Sequence, residues 1–286
     1  GSNVLFTKDF AGLVIKNYIR GINVIEENEN TILVKSGAGE VWHDLVLWGL
    51  EKNAGGIENL SLIPGCVGAG PIQNIGAYGV EIKNVFEGLE AVHIYSGETR
   101  KFNFDDCRFG YRDSVFKNEL KDQFVITSVT LRLNKHPVFN TSYGAIEAEL
   151  ERMGIKKLSV KSISDAVIRI RRSKLPDPAV IGNAGSFFKN PEVTKEKYLQ
   201  LKSSAEKIAA YDLPNGNVKL AAGWLIEQCG WKGKVVGNTG SHKDQALVLV
   251  NYGNASGKEI FGLATEIQRS VKEKFGVEIE KEVNVI

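Results

Sequence analysis

Residues 64–79, with the sequence PGCVGAGPIQNIGAYG, constrain the fold of this chain more than any other stretch. Five glycines and two side-chain amides lie within this one window. Glycine adopts positive φ readily and lets a backbone N–H approach a ligand without an intervening Cβ. Successive N–H groups in such turns form concave anion sites that suit a pyrophosphate. The segment is neither a Rossmann fingerprint nor a Walker loop, so a nucleotide-binding loop and a tight structural loop both remain open.

Length and charge exclude several classes of protein. The 286 residues favour two or more packed units over a single domain. The net charge of +2 provides no global field that would attract nucleic acid or an anionic membrane. No apolar run reaches the ~20 residues that span a bilayer, and no secretion signal opens the chain. We expect a cytoplasmic monomer without nucleic-acid or membrane partners.

Cysteines and histidines form no metal-ligand pattern. The cysteines are odd in number and far apart, which favours buried reduced thiols over disulfides. The histidines are equally scattered, and a zinc site needs several clustered ligands. We therefore expect no metal at any of these positions: Cys66, Cys107, Cys229, His43, His93, His136 and His242.

The first part of the chain is rich in predicted strands. Short β-branched runs bounded by turn residues predict strands at 14–19, 31–35, 90–95 and 124–133. Residues 95–99 are typical of a hairpin turn. Apolar residues at near-helical spacing predict one helix over 40–51.

The later part mixes helices and strands. Helices are predicted over 164–174, ending before Pro176, and over 219–229, ending at Gly230. Ser256 and Glu259 form a capping-box signature, and the helix that they start carries an apolar stripe of Ile260, Leu263, Ile267, Val271 and Phe275. Residues 246–251 predict a buried strand, and residues 277–285 alternate apolar with polar side chains as a strand does. The pattern breaks near residues 137–160, so we predict an α+β protein with two lobes and ligands in the cleft between them.

Several motifs follow one another in the order found in one family of flavoenzymes. They are residues 1–5, 64–79, 108–114 (RFGYRDS), 174–178 (KLPDP), 182–191 (GNAGSFFKNP) and 219–229 (KLAAGWLIEQC). Over its whole length the chain resembles the UDP-N-acetylenolpyruvoylglucosamine reductases, in the subgroup that has a tyrosine loop. A match of this length is highly specific, whereas each motif alone is weak.

The resemblance implies a fold and a reaction. It implies a vanillyl-alcohol-oxidase-type FAD-binding lobe at 1–158, followed by a smaller α+β substrate lobe at 159–286 that ends in a catalytic strand. The reaction implied is reduction of UDP-N-acetylglucosamine enolpyruvate to UDP-N-acetylmuramate in peptidoglycan precursor synthesis, with non-covalent FAD and with NADPH. Two departures stand out. The family has a strand–helix–strand unit before the point where this chain opens, so we expect an incomplete flavin lobe, and Ala69 and Gly70 replace two serines of the family.

The resemblance also assigns the chemistry to three residues. Ser186 matches the proton donor, Arg112 the cation that counters enolate charge, and Glu282 the catalytic carboxylate, with Glu280 in reserve. A guanidinium fork suits a carboxylate or an enolate, and an acid must protonate the second carbon. Without the motifs, Ser186 would be a turn or N-cap serine, Arg112 a surface ion-pair partner, and the glutamates a solvated strand face.

Further residues match binding positions of the family. Those toward FAD are Gly1, Ser2, Asn3, Pro64, Gly65, Gly68, Gln73, Asn74, Gly76, Ala77 and Gly79. Those toward the UDP-sugar are Tyr111, Tyr143, Lys174, Asn190, Tyr211, Lys219 and Gln245. Lysines facing a diphosphate are physically reasonable, whereas a core or rim position explains Tyr211 equally well.

Two other functions remain open from the sequence. One is a flavoprotein of the same fold that oxidises an alcohol and attaches its flavin covalently, for which Cys66 is the candidate in the glycine-rich segment. The other is a protein that binds a nucleotide-sugar without catalysis, such as an inactive fragment. The motif around Ser186 argues against the first. The joint presence of Arg112, Ser186 and Glu282 argues against the second.

Overall fold

The computed structural model of the chain describes residues 2–142, 145–205 and 207–286. The strands are β1 (Val4–Leu5), β2 (Ile22–Glu27), β3 (Thr31–Gly37), β4 (Gly76–Ala77), β5 (Val80–Glu81), β6 (Phe86–His93), β7 (Thr99–Phe102), β8 (Phe124–Asn134), β9 (Gly182–Ser186), β10 (Glu192–Val193), β11 (Ala210–Asp212), β12 (Val218–Leu220), β13 (Val235–Val236), β14 (Thr239–Ser241), β15 (Val248–Asn251) and β16 (Asn284–Val285). The α-helices are α1 (Trp42–Glu51), α2 (Phe104–Cys107), α3 (Ile146–Arg152), α4 (Val160–Lys174), α5 (Lys195–Ser204), α6 (Ala222–Gln228) and α7 (Gly257–Phe275). Short 3-10 turns lie at Glu58–Leu60, Val67–Ala69, Pro71–Gln73, Ile82–Asn84 and Val115–Lys117.

The chain divides into two compact units. The central unit comprises residues 14–171, and the terminal unit comprises residues 1–13 together with 172–286. Residues 1–13 belong to the terminal unit because β1 pairs in parallel with β16, with Val4 opposite Asn284. The units therefore differ from the predicted binding domains at 1–158 and 159–286, whose assignment to FAD and to substrate stays a prediction.

An antiparallel sheet in the order β2-β3-β8-β6-β7 forms the frame of the central unit. Side chains of its middle strand β8 alternate in burial, with Val129, Leu131 and Leu133 inaccessible to solvent. Such alternation is expected of a sheet that covers a core with one face. Helix α1 buries Trp42 and Leu45 in the same core. The sheet therefore provides the rigid base for the glycine-rich segment that follows α1.

The structure confirms most of the predicted elements of the first part. β3, β8 and α1 lie within two residues of their predicted bounds. β6 starts four residues before the predicted strand at 90–95 and ends two residues before it does, and β6 and β7 form the predicted hairpin with Gly97 at φ +72°. The strand predicted at 14–19 is wrong. Its apolar side chains Val14 and Ile15 are 67% and 80% exposed, so burial of these side chains does not stabilise a strand there. The end of this stretch instead lies next to Gly39, whose N–H donates a hydrogen bond to the carbonyl of Ile19 at 2.9 Å.

The terminal unit contains two small antiparallel sheets and a long helix. The sheets have the orders β13-β14-β15-β9 and β10-β12-β11. Helix α7 starts with the predicted capping box of Ser256 and Glu259 and ends at Gly276, whose φ of +60° is the left-handed geometry of a helix C-terminus. Leu263, Ile267 and Val271 of the predicted apolar stripe are buried. Ile260 and Phe275, at the ends of the stripe, are partly buried.

Several predicted boundaries of the later part need correction. The helix predicted over 219–229 begins only at Ala222, because Val218–Leu220 form β12 between β10 and β11. Helix α4 starts four residues before the predicted Ser164, and β15 two residues after Ala246. In residues 277–285 the alternating burial is present, but a regular strand forms only at Asn284–Val285.

The structure also tests the predictions for the three cysteine thiols. Cys66, Cys107 and Cys229 are free, but only Cys107 is fully buried, and burial raises the pKa of its thiol to about 12. The expectation of buried thiols therefore fails for Cys66 and Cys229, which are half-buried. Over the described ranges, no helix combines the length and apolar character needed to cross a membrane. Within the same ranges, no group of His, Cys, Asp and Glu side chains is arranged to hold a metal ion.

The close approach of Gly68 to Ala38 predicts that packing requires glycine at position 68. A Cβ at Gly68 would lie 2.5 Å from the Cβ of Ala38, so Gly68→Ala should lower the free energy of unfolding by about 1–3 kcal/mol. The control is Gly262→Ala on α7, where an added Cβ meets nothing within 4 Å and should stabilise by about 0.5–1 kcal/mol. Urea unfolding of the variants measures both changes. Equal stability of Gly68→Ala and the wild type would show that packing does not require glycine there.

Candidate functional site

A tight turn in the central unit carries Tyr111 and Arg112. The backbone N–H of Gly110 donates to Asp113 O at 3.0 Å, and that of Asp113 donates back to Gly110 O at 3.4 Å. Arg112 takes a left-handed conformation, with φ +53°, which is uncommon for a residue with a long side chain. Its guanidinium carbon lies 5.4 Å from the centroid of the Tyr111 ring. The turn therefore presents both predicted side chains from one short loop.

Arg112 contacts the glycine-rich segment directly. Its Nη2 donates a hydrogen bond to the carbonyl of Gly76. A Cβ on Gly76 would lie 2.8 Å from Arg112 Nη1, so glycine is what allows this approach. Two more hydrogen bonds join the same parts of the chain. Asn74 Nδ2 donates to Gly110 O at 2.8 Å, and Ser114 Oγ donates to Ile72 O at 2.6 Å. The structure thus brings the predicted catalytic cation to the predicted flavin segment.

Some residues predicted to bind FAD use their polar groups within the protein. The N–H of Gly68 donates to Ala38 O at 2.9 Å. The side chain of Asn74 is fully buried and also donates to Glu81 Oε2 at 3.1 Å. Gly65 has φ +115°, a value that glycine adopts without strain. These residues shape the loop, and the stretch that remains half-buried and close to Arg112 is Gly76 with Ala77.

A two-residue turn closes this stretch. β4 and β5 pair with Gly76 opposite Glu81 and Ala77 opposite Val80, so Tyr78 and Gly79 form the connection. Both have positive φ, +50° and +79°, as a type I′ hairpin turn requires. The Tyr78 ring packs against the apolar cluster of α3 and α4 that includes Ile146, Ile163 and Ile170.

Arg171 is a functional candidate that the sequence analysis missed. It follows Ile170 on α4 and is half-buried. Its Nε is fully buried and has no hydrogen-bond partner among the residues that the structure describes. Burial lowers the pKa of Arg171, and the Tyr78 side chain acts on it in the opposite direction. The available signal was the position of Arg171 four residues after Val167, on the face of α4 that is otherwise apolar.

Ser186 ends β9 in the terminal unit, on a backbone shaped by Asn183. Asn183 Oδ1 accepts from the N–H of Gly185 at 3.0 Å, and its Nδ2 donates to Ile181 O at 2.9 Å. Gly185 has φ +76°, and an added Cβ there would meet nothing, so backbone strain and not space selects glycine. β9 pairs with β15, with Ser186 opposite Val248. The half-buried Ser186 therefore has a constrained backbone on both sides.

Glu282 lies on the backbone beside Ser186. The N–H of Glu282 donates to the carbonyl of Phe187 at 2.8 Å, and Phe188 pairs with Lys281 in an antiparallel bridge. Glu282 is half-buried, whereas Glu280 is exposed and its carboxylate forms an ion pair with Lys189 at 3.2 Å. The structure thus brings the backbone of Glu282 to the residue that follows Ser186, within one unit.

Asn3 joins the same backbone arrangement. Its Nδ2 donates to the carbonyl of Glu282 at 3.2 Å, and its own carbonyl accepts from the N–H of Asn284 at 3.1 Å. Ser2 precedes it in the same turn before β1. Gly1 lies outside the described residues. Of the first three residues, which are predicted to bind FAD, Asn3 is therefore held directly against the segment predicted to be catalytic.

Four of the seven residues predicted to bind the sugar nucleotide form one group in the terminal unit, and Tyr111 lies in the central unit. Tyr211 on β11 lies opposite Lys219 on β12, and Lys219 Nζ is 6.0 Å from the centroid of the Tyr211 ring. Asn190 Oδ1 accepts from the N–H of Ala222 at 2.9 Å, and Gln245 Oε1 lies 3.1 Å from the ideal Cβ position of Gly223. β12 leads directly into α6, so these four surround one junction. Lys174 is exposed at the end of α4, and Tyr143 lies outside the described residues.

Two family models and a solved structure match this chain. Residues 177–286 match the family model for the C-terminal domain of UDP-N-acetylenolpyruvoylglucosamine reductase, and residues 1–103 match an FAD binding domain. The UDP-N-acetylenolpyruvoylglucosamine reductase of Thermus caldophilus has a similar crystal structure. Its TM-score is 0.59 at 25% identity, over 88% of this chain and 71% of that one.

Curated relatives match over the whole chain. The UDP-N-acetylenolpyruvoylglucosamine reductase of Flavobacterium johnsoniae is 53% identical over 288 residues, which cover 100% of this chain and 85% of the relative. The enzyme of that name from Amoebophilus asiaticus is 56% identical over 286 residues, covering 100% of this chain and 84% of the relative. Identity at this level across both matched domains leaves one assignment: the chain belongs to the UDP-N-acetylenolpyruvoylglucosamine reductase family, with a vanillyl-alcohol-oxidase-type FAD-binding part and an α+β C-terminal domain.

Proposed function

We propose that this chain reduces UDP-N-acetylglucosamine enolpyruvate to UDP-N-acetylmuramate, with FAD as cofactor and NADPH as reductant, in peptidoglycan precursor synthesis. The observation that supports the proposal is the backbone hydrogen bond from Glu282 to Phe187, which brings residue 282 to the segment that carries Ser186. Family membership supplies the substrate class. The free cysteines support a cytoplasmic location, and we propose that the protein acts as a monomer.

The central unit offers chemistry that suits a flavin nucleotide. Gly76 has no Cβ in the space beside the Arg112 guanidinium, and Arg171 keeps a buried Nε that no described residue satisfies. A group with anionic and hydrogen-bonding edges fits such surroundings. When bound, FAD would supply the hydride chemistry, accepting a hydride from NADPH and passing it through N5 to the enolpyruvyl group.

Three side chains would then handle charge and protons. Hydride addition to one enol carbon leaves negative charge that spreads into the pyruvyl carboxylate. Arg112, held against Gly76 O, is the cation that would stabilise this charge. Ser186 Oγ would donate the proton to the other carbon, and Glu282 would hold or relay a proton beside it. A serine hydroxyl is too weak an acid alone, so its transfer depends on the neighbouring charged groups.

Anchoring of the sugar nucleotide would fall to the junction of β12 and α6. Lys219 and Tyr211 present a cation and an aromatic ring side by side, and Asn190 and Gln245 add side-chain amides. A lysine ammonium binds a diphosphate as a point charge. Tyr111, Lys174 and the tyrosine loop at Tyr143 complete the proposed set.

Removing the Ser186 hydroxyl should separate the two halves of the reaction. In Ser186→Ala, NADPH should still bleach the flavin at the wild-type rate, because the hydroxyl takes no part in that step. Recovery of the flavin absorbance on adding the enolpyruvyl sugar should slow by about 10²–10⁴-fold, the usual loss of a general acid. Stopped-flow absorbance in the absence of oxygen measures both steps.

The matched control is Ser203→Ala on the exposed surface of α5, which should leave both steps unchanged. Normal turnover of Ser186→Ala would remove serine as the acid. Flavin in the wild type that is bleached by NADPH, and that only oxygen restores, would overturn the proposed reaction itself.

The two neighbouring glutamates should behave differently. Glu282→Gln removes the carboxylate beside Ser186, so the second half-reaction should slow by at least about tenfold, toward the loss typical of a general acid–base group. Glu280→Gln only breaks an ion pair at a side chain that is 77% exposed, so its rate should stay within about twofold of the wild type, as exposed pairs contribute little. The same stopped-flow assay ranks the variants. A larger effect at Glu280 would reverse the assignment.

A further inference from the structure

The loop between β14 and β15 carries Gln245, one of the residues proposed to bind the sugar nucleotide. The N–H of His242 donates to the carbonyl of Val248 at 2.8 Å and closes the loop at its base. Within the loop, the N–H of Val248 donates to the carbonyl of Gln245 at 3.0 Å. The hydroxyl of the buried Ser241 donates to the carbonyl of Ala246 at 2.9 Å. These three hydrogen bonds hold the part of the loop that follows Gln245.

The imidazole of His242 holds the part of the loop that precedes Gln245. His242 is buried, and its Nδ1 accepts a hydrogen bond from the backbone N–H of Asp244 at 3.3 Å. Asparagine and aspartate side chains accept the N–H two residues further along in the same way when they form an Asx-turn. A ring nitrogen of histidine accepts only when it carries no proton. The contact therefore requires the neutral imidazole, with its proton on Nε2.

Gln245 lies close against helix α6. Its Oε1 is 3.1 Å from the position that a Cβ on Gly223 would take, and the Leu247 side chain approaches the same position to 3.5 Å. Gly223 is the second residue of α6 and follows Ala222, whose N–H donates to Asn190 Oδ1 at 2.9 Å. The amide of Gln245 is thus located at the junction where the other proposed sugar-nucleotide residues meet. Its place there depends on the conformation of the loop.

Two charged side chains act on the His242 imidazole among the residues that the structure describes, and both belong to the loop. Asp244 favours the protonated ring and Lys243 the neutral ring, and their own side chains form an ion pair at 2.9 Å. Burial has the larger effect and lowers the pKa of His242 from its ordinary value of 6.5. The neutral ring is therefore the main form near neutral pH. The contact with Asp244 is lost as the pH falls through the lowered pKa.

We propose that His242 is a positioning residue of the sugar-nucleotide site, which fixes the turn before Gln245 by accepting the Asp244 N–H and releases that turn when the imidazole is protonated. The inference rests on the proposed function, because it takes Gln245 as a ligand of the UDP-sugar. In this role His242 acts through Gln245. It sets how tightly the sugar nucleotide binds, whereas the proton and hydride transfers belong to other groups.

Two substitutions separate the acceptor from the ring. His242→Asn offers an oxygen that can accept the same N–H and does not titrate, whereas His242→Ala offers no acceptor. Calorimetry without NADPH measures the affinity of the FAD-loaded protein for UDP-N-acetylglucosamine enolpyruvate while no turnover occurs. At about pH 8, His242→Ala should bind this ligand about 2- to 10-fold more weakly than the wild type, as expected for one lost hydrogen bond, and His242→Asn should stay within about twofold. The control is His136→Ala, at an exposed histidine of the central unit.

The pH dependence of binding supplies a second test. Between about pH 8 and about pH 5, the affinity of the wild type should fall toward that of His242→Ala, because the imidazole becomes protonated. The affinity of His242→Asn should not follow this fall. The ratio of the wild-type and His242→Asn affinities removes the contribution of every other titrating group, since both proteins share those groups. An equal pH dependence of the two proteins, or a His242→Asn as weak as His242→Ala, would overturn the proposal.

A double substitution shows whether His242 acts through Gln245. Gln245→Ala alone should weaken binding of the sugar nucleotide, and adding His242→Ala should cause little further loss, because the side chain that His242 positions is already absent. Fully additive losses would contradict this route. In His242→Ala, the stopped-flow rate of flavin reoxidation at saturating substrate should stay within about twofold of the wild type, as expected when only binding is affected. A slower rate at unchanged affinity would also speak against the proposal.

Failure of the proposed function would give a different result. A wild type that binds the sugar nucleotide without reducing it would overturn the reaction and leave the His242 comparison intact. A wild type that binds no sugar nucleotide would overturn both. If the melting temperature shows that His242→Ala does not fold, the comparison of His242→Asn with the wild type across pH still decides the proposal.

Discussion

Backbone hydrogen bonds connect the last residues of the chain to two distant segments of the terminal unit, one around Phe187 and one around Asn3. Glu282 donates to Phe187, and Asn284 donates to Asn3. One short stretch thereby fixes the proposed proton donor, the proposed carboxylate and the first residues of the chain. Backbone hydrogen bonds set these positions together with the side chain of Asn3, whose Nδ2 donates to the carbonyl of Glu282. Asn183 and Gly185 contribute the rest by fixing the turn that leads into Ser186.

The central unit uses its glycines in two separate ways. At Gly68 the absence of a side chain permits packing against Ala38, and the N–H is used within the protein. At Gly76 the absence of a side chain makes room for the guanidinium of Arg112. A glycine-rich sequence therefore does not by itself indicate how many N–H groups face a ligand. In this segment some glycines, such as Gly68, are needed for the packing of the loop, whereas Gly76 lets the Arg112 guanidinium approach the backbone.

Sequence reasoning recovered the periodic elements and missed what depends on partners far along the chain. β8, α1 and α7 follow from their own burial patterns and caps, so their prediction required no tertiary information. Residues 14–19 have the composition of a strand but no pairing partner, and residues 218–220 became a strand because two neighbouring strands flank them. Ser186, Arg112 and Glu282 came from motif resemblance. Arg171 lies outside the motifs, and only the structure reveals its buried Nε, which none of the described residues satisfies.

The Tyr78 turn ties the flavin segment to helices that lie far away in sequence. β4 and β5 have two residues each, too few to be stable as an isolated hairpin. The Tyr78 ring adds support from outside the hairpin by packing against α3 and α4, which begin about 70 and 80 residues later. In synthesis from the N-terminus, residues 76–81 therefore leave the ribosome before the helices against which the Tyr78 ring packs.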